Sequence, residues 1–93
     1  MKSLNVLGQK VKVIYADLSS EAICGKYSYD QKTMYIEKTL SKEQKNITLF
    51  HELFHAVIDR AGLLNTAISS DAQEIICDQF AKVLVENFKV IKK

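Results

Sequence analysis

The sequence has 93 residues and a mass of 10.6 kDa, which is enough for one compact domain and too little for two. Its hydrophobic share of 47% and charged share of 26% are those of an ordinary globular protein, and they exclude a disordered or collagen-like chain. The formal net charge is only +2 and no dense basic run occurs, so no nucleic-acid partner is predicted. We therefore expect a single domain over residues 1–93.

The apolar segments are short. No run approaches the ~18 residues that span a bilayer, and residues 1–8 lack the apolar stretch of a signal peptide. This pattern predicts a cytoplasmic protein without a membrane partner. Cys24 and Cys77 would be reduced in that compartment, and two thiols are too few for a disulfide framework, so we interpret both as small buried residues.

The first half of the chain predicts strands. Residues 10–15 alternate and are rich in β-branched side chains, which places Val11, Val13 and Tyr15 on one side of an extended segment. Residues 25–29 and 32–38 are then typical of a hairpin.

The first of two predicted helices follows the hairpin. Ser41 with Gln44 fits a capping box, and apolar residues recur at helical spacing from there to about Arg60. Gly62 marks the expected end of this helix.

A second helix is predicted to begin near Ser69 or Ser70. Its apolar residues are Ile75, Ile76, Phe80, Val83, Leu84 and Phe88, and the first three occupy faces suited to packing. Strands followed by two long helices predict an α+β fold, with a small antiparallel sheet packed on the helix pair.

A metal-binding pattern lies in the middle of the first helix, where residues 51–55 read HELFH, an HExxH motif. Positions four apart on a helix are offset by about 40° and one turn, so His51 and His55 share a face and can share one ion. Glu52 projects beside that ion, where a general base accepts a proton from activated water. A cluster of three ionisable residues has no structural purpose that an apolar residue would not serve better.

Catalytic zinc takes three protein ligands and keeps one position open for water, so the pattern requires a third ligand. Glu74 and Asp78 are four apart on the second helix and share a face, which offers one carboxylate to the metal and the other to a ligand histidine. Cys77 is an alternative ligand, and both carboxylates could instead form a solvated edge. The residues alone predict a Zn²⁺ site and leave its third ligand open.

These motifs resemble a known family. HExxH followed by a helix with ExxxD is similar to the gluzincin arrangement, and a glutamate six residues before Phe80-Ala81 is similar to the small ImmA/IrrE-type metallopeptidases of bacteria, mobile elements and phages. The resemblance implies a minimal zincin-like core. The roles that it implies are zinc ligation by His51, His55 and Glu74, general-base catalysis by Glu52, and support of a ligand histidine by Asp78.

The activity implied by the resemblance is zinc-dependent cleavage of a protein or peptide, with a regulatory protein of a bacterium or mobile element as the expected substrate. We expect the substrate to add as a strand to a sheet edge formed by residues 32–38. Tyr27, Tyr29 and Tyr35 are candidates for a donor that stabilises the oxyanion, and the sequence does not choose between them.

Two other functions stay open at this point. The first is a zinc-containing module that binds a protein without cutting it. Such a module would not need Glu52 as a general base. The second is a closed structural site, in which Cys77 or Asp78 completes four ligands. The sequence does not determine the oligomeric state.

Overall fold

A computed structural model describes residues 2–61 and 69–87 of the chain. The elements in chain order are β1 (Lys2–Val6), β2 (Gln9–Ala16), β3 (Gly25–Ser28), β4 (Thr33–Glu37), α1 (Lys42–Arg60) and α2 (Ser70–Asn87). A short 3-10 turn at Ser19–Glu21 lies between β2 and β3. In these two ranges, no helix has both the length and the apolar character needed to cross a bilayer.

The strands form a sheet with the order β1-β2-β4-β3. β1 pairs antiparallel with β2, and β3 with β4, which confirms the hairpin predicted at residues 25–29 and 32–38. β2 and β4 run parallel. The α+β class is therefore confirmed, whereas the sheet is mixed and not antiparallel throughout. The connection from β2 to β4 contains the whole of β3, which makes it long enough for the chain to return in the same direction.

β4 lies inside the sheet, so the expectation that residues 32–38 form an edge is wrong. Met34 and Ile36 of β4 are fully buried, and the strand is paired on both sides, as is typical of a central strand. The edge on this side of the sheet is β3, which pairs only with β4 among the described strands. β1 forms the opposite edge.

β1 is an addition to the predicted elements. Leu7 and Gly8 link it to β2 in a two-residue turn with φ of 49° and 86°, the left-handed values of a type I′ turn. Leucine at the first position replaces the Asn or Asp that usually signals such a hairpin. The remaining signal is the alternation that places Leu4 and Val6 on the same side of the strand.

The core lies between one face of the sheet and α1. Val11 and Val13 of β2 point into it, as their alternation predicts. Tyr15 continues the same alternation and is 37% exposed, and the ammonium groups of Lys2 and Lys45 lie 5.6 and 5.5 Å from its ring centre. The other buried members of the core cluster are Val6, Tyr27, Met34, Ile36 and Ala56.

α1 begins where its capping pattern predicts. The hydroxyl of Ser41 accepts a hydrogen bond of 3.1 Å from the amide of Gln44, which satisfies one of the free donors of the first turn. The helix runs to Arg60. Gly62, the residue expected to end it, lies outside the described residues.

α2 begins at Ser70, as predicted, and the hydroxyl of Ser69 accepts a hydrogen bond of 3.1 Å from the amide of Ala72. Its contact with α1 is made largely by small side chains: Cys77 and Ala81 are fully buried, and Gln73 lies on the same stripe. Cys77 is therefore buried, as expected, whereas Cys24 is exposed.

The expectation that Ile75, Ile76 and Phe80 occupy packing faces is only partly met. All three are exposed, although the ring of Phe80 lies 5.7 Å from that of Phe54 on α1. The exposed fractions are 40–63% for Ile75, Ile76, Phe80 and Val83. Small residues on the contact stripe let the two helices approach closely, and the bulkier residues lie to either side of that stripe. Phe88 lies outside the described residues.

Candidate metal centre

Two histidine rings converge on one face of α1. His51 and His55 are one helical turn apart, and their Nε2 atoms lie 3.3 Å from each other. This is the arrangement that i,i+4 spacing predicts for two side chains on one face.

Glu74 of α2 completes the group. Its Oε1 lies 3.1 Å from Nε2 of His51, and its Oε2 lies 3.0 Å from Nε2 of His55. Among the described residues, these three form the one cluster whose ligand atoms all lie within 4.8 Å of one another. Two imidazole nitrogens and a carboxylate thus present lone pairs to a common point, and a divalent cation fits this donor set.

Cys77, the alternative third ligand, does not belong to this cluster. Burial, together with the carboxylates of Glu74 and Glu52, raises the pKa of its thiol to about 11. Cys77 is fully buried and lies outside the ligand cluster, as is typical of a small packing residue.

His55 is the more buried of the two histidines, with 10% of its side chain exposed. Burial lowers its pKa because the charged imidazolium is poorly solvated there. The ring is therefore neutral at physiological pH, which is the form that binds a metal. Its Nδ1 is buried and has no hydrogen-bond partner in the described part of the chain.

Glu52 follows His51 on α1 and is 6% exposed. Burial and the nearby carboxylate of Glu74 raise the pKa of Glu52 to about 7. A carboxyl group with this pKa both accepts and releases a proton near neutral pH, as a general base does.

Asp78 lies on the outer side of His51. Its Oδ1 is 4.0 Å from Nδ1 of that ring, too far for a hydrogen bond, and its Oδ2 lies 3.1 Å from the ammonium of Lys82. The sequence left both histidines as partners for Asp78, and the structure places it next to His51. It faces the ring nitrogen opposite the one directed at Glu74.

The cluster opens into a cavity of about 280 Å³ that the edge strand β3 borders. The lining residues are Gly25, Lys26, Tyr27, Tyr29, His51, Glu52, His55 and Glu74. Gly25 lets this strand lie close to α1 because it has no side chain. A Cβ at this position would lie 2.5 Å from Cγ2 of Thr48 and 3.5 Å from Cγ of Glu52.

The hairpin β3–β4 is tied to α1 by a carboxylate. Asp59 accepts hydrogen bonds from the hydroxyl of Tyr27, at 3.1 Å, and from the ammonium of Lys32, at 2.8 Å. Asp59 is one turn beyond His55, so the face of α1 that bears the histidines also anchors the hairpin.

Comparison with known families agrees with this geometry. The family model of the IrrE N-terminal-like domain, a peptidase family, matches residues 8–87. The chain belongs to the IrrE N-terminal-like domain family. This membership confirms the resemblance to ImmA/IrrE-type metallopeptidases and supports a metallopeptidase with a metal cofactor. No curated protein and no solved structure matches the chain significantly.

The IrrE-like fold brings residues to the site that sequence reasoning did not identify. Gly25 and Lys26 line the cavity because β3 is the edge strand. The order of strands in a sheet cannot be predicted from the residues next to these two positions. Asp59 has a readable signal, because it continues the i,i+4 spacing of His51 and His55.

Proposed function

We propose that this chain is a zinc metallopeptidase in which His51, His55 and Glu74 hold the metal and Glu52 is the general base. The observation that carries the proposal is the burial of Glu52 beside three converging ligand side chains, in a cavity at a sheet edge. Carboxylates are seldom buried without an ion-pair partner, because burial disfavours their charged form. A general base requires a raised pKa, and this requirement would explain why a carboxylate is buried here despite the unfavourable free energy of its burial.

Zinc bound by these residues would supply Lewis-acid chemistry for water and for a scissile carbonyl group. The protein's part is to hold the ligand set and to move the proton. Glu52 accepts a proton at its carboxylate and then delivers it to the leaving amine, which its pKa of about 7 suits.

The substrate is proposed to be an extended segment of a protein. β3 takes the role that the sequence assigned to residues 32–38, since it borders the cavity and pairs on one side only among the described strands. An extended peptide added to this edge would gain main-chain hydrogen bonds while running past the histidines. We propose a regulatory protein of a bacterium or mobile element as the target, and the cytoplasm as the place where it is cut.

A closed structural site is disfavoured by the position of its two candidate fourth ligands. Cys77 is outside the ligand cluster, and Asp78 faces Nδ1 of His51 while Nε2 faces Glu74. A zinc-containing module that binds a protein without cutting it has the same ligand geometry. The two functions differ in whether Glu52 acts as a general base.

The test compares wild type with Glu52→Gln in bacterial cells, with Glu43→Gln as the matched control. Glu43 is an exposed acid in the first turn of α1, away from the histidines. We expect new protein N-termini with wild type and Glu43→Gln and none with Glu52→Gln. Equal fragment patterns for wild type and Glu52→Gln would contradict the proposed peptidase activity.

A further inference from the structure

The three candidate tyrosines differ in what their hydroxyl groups do. The hydroxyl of Tyr27 donates to Asp59, and that of Tyr35 donates to the side-chain oxygen of Gln31 at 2.7 Å. Tyr29 lines the cavity that contains the histidines, and its hydroxyl has no hydrogen-bond partner among the described residues. Of the three, it is the one whose donor is free to serve a ligand.

The ring of Tyr29 is supported on one side by a neighbouring ring, and 39% of the residue is exposed. It packs edge-on against Tyr27, with ring centres 5.0 Å apart and planes at 86°. Tyr27 is in turn held by Asp59 on α1, which also binds Lys32. These contacts restrict the ring on the Tyr27 side, which reduces the ordering that the donor requires when the substrate arrives.

The surroundings of Tyr29 also keep its proton in place. Burial raises its pKa, and the carboxylates of Asp59, Glu52 and Glu74 raise it further, because a phenolate would be repelled by them. At neutral pH the group is a hydroxyl, and it donates to an acceptor that enters the cavity.

We propose that the Tyr29 hydroxyl donates a hydrogen bond to the carbonyl oxygen of the scissile peptide as that oxygen gains negative charge. The inference rests on the proposed peptidase function and adds a catalytic residue from the loop that follows β3. Lys26 also borders the cavity, but its ammonium is engaged by Glu21 at 2.9 Å. A donor of this kind contributes about 10²–10³-fold to kcat in enzymes where it has been removed.

The test uses acetohydroxamic acid, a small weak acid that binds a catalytic zinc ion through its two oxygens as the hydroxamate, in place of substrate. Zinc-loaded wild type is compared with Tyr29→Phe and with Tyr35→Phe, the matched control in which an exposed hydroxyl is lost. Zinc content and thermal unfolding are measured in parallel. We expect all three proteins to hold zinc equally, and acetohydroxamate to bind Tyr29→Phe about tenfold or more weakly than the other two.

The outcomes separate this inference from the proposed function. Equal binding by wild type and Tyr29→Phe would overturn the inference alone. Loss of zinc from Tyr29→Phe would also overturn it, because the residue would then support the structure of the site. Three zinc-loaded proteins that do not bind acetohydroxamate would have no open position on the metal, which would overturn the proposed function and this inference together.

Discussion

Oε2 of Glu74 lies 3.0 Å from Nε2 of His55, and this pair joins α2 to α1 at the candidate metal centre. The glutamate side chain is 59% exposed, so little packing holds it in this position. Its convergence with the two histidines is the basis of the proposed metal site.

Replacing Glu74 with alanine should therefore remove most of the bound zinc, because two histidines alone do not complete a catalytic site. Metal analysis should give close to one equivalent for wild type and far less for Glu74→Ala. Glu86→Ala, on the same helix, is the matched control and should keep its zinc. Cys77→Ala should also keep it, and zinc lost from Cys77→Ala but not from Glu74→Ala would reverse our assignment.

Asp78→Ala should bind zinc more weakly without losing it. Oδ1 of Asp78 lies 4.0 Å from Nδ1 of His51, on the side of the ring away from Glu74. The prediction is that this carboxylate supports the ring once zinc is bound, and partners of this kind typically contribute about 10–100-fold to affinity. Competition with a chelator of known affinity measures the change, again against Glu86→Ala. A loss as complete as that of His51→Ala would identify Asp78 as a ligand.

Glu52→Gln should stabilise the metal-free protein, and increasingly so as pH rises. The folded-state pKa of about 7 lies above the ordinary value of 4.5, so the folded protein keeps a proton that the unfolded chain releases between these values. Raising the pH through this window destabilises the wild type but not the glutamine variant. Urea unfolding with a chelator should show a gain on the order of 1–3 kcal/mol at pH 8 and a much smaller gain at pH 5. A gain in the free energy of unfolding that does not change with pH would show that the raised pKa of Glu52 is not its cause.

Gly25→Ala should lower the free energy of unfolding by about 1–3 kcal/mol, the usual cost of overpacking. The new methyl group would overlap Cγ2 of Thr48 and lie 2.9 Å from the carbonyl oxygen of Tyr35. Adding Thr48→Ser removes the first of these clashes, so the double variant should recover part of the loss in denaturant unfolding. If the two substitutions change the free energy of unfolding additively, the clash with Thr48 is not the cause of the destabilisation.

Leu7→Asn should stabilise the protein by about 0.5–1 kcal/mol, because asparagine accepts the left-handed backbone more readily than leucine does. Leu7 is 62% exposed, so little packing is lost. Thermal or urea unfolding measures the gain. Ser3→Asn, within the paired part of β1, tests whether the turn is responsible and should give no gain.

The local parts of the site could be predicted from the sequence. The spacing of His51, Glu52 and His55 fixes their directions once the segment is helical, and Ser41 signals where that helix begins. Glu74 could be proposed as a ligand, but its approach to the histidines depends on how two separate helices pack. From the residues alone, Glu74 and Asp78 share one face of the predicted helix, and neither is singled out as the metal ligand. The family resemblance identified Glu74 as the ligand.

The remaining features depend on contacts that no local pattern encodes. The strand order decides that β3 and not β4 is the edge, and thereby places Gly25 and Tyr29 at the cavity. Helical periodicity correctly predicted α2 but not which of its residues are buried. Cys77 and Ala81 are fully buried, whereas Phe80, whose ring lies beside Phe54, is 54% exposed.

The parallel pairing of β2 with β4 has a consequence for folding kinetics. Each hairpin joins neighbours in the sequence, whereas the register that aligns Val13 with Met34 must close a long loop. Loop-closure entropy delays such non-local pairs, so we expect the hairpins to form early and the sheet to be joined late. The residues that line the cavity belong to β3, the loop after it, α1 and α2. An intermediate in which Asp59 already holds the β3–β4 hairpin on α1 would therefore contain the β3 and α1 side of the cavity before β2 joins β4.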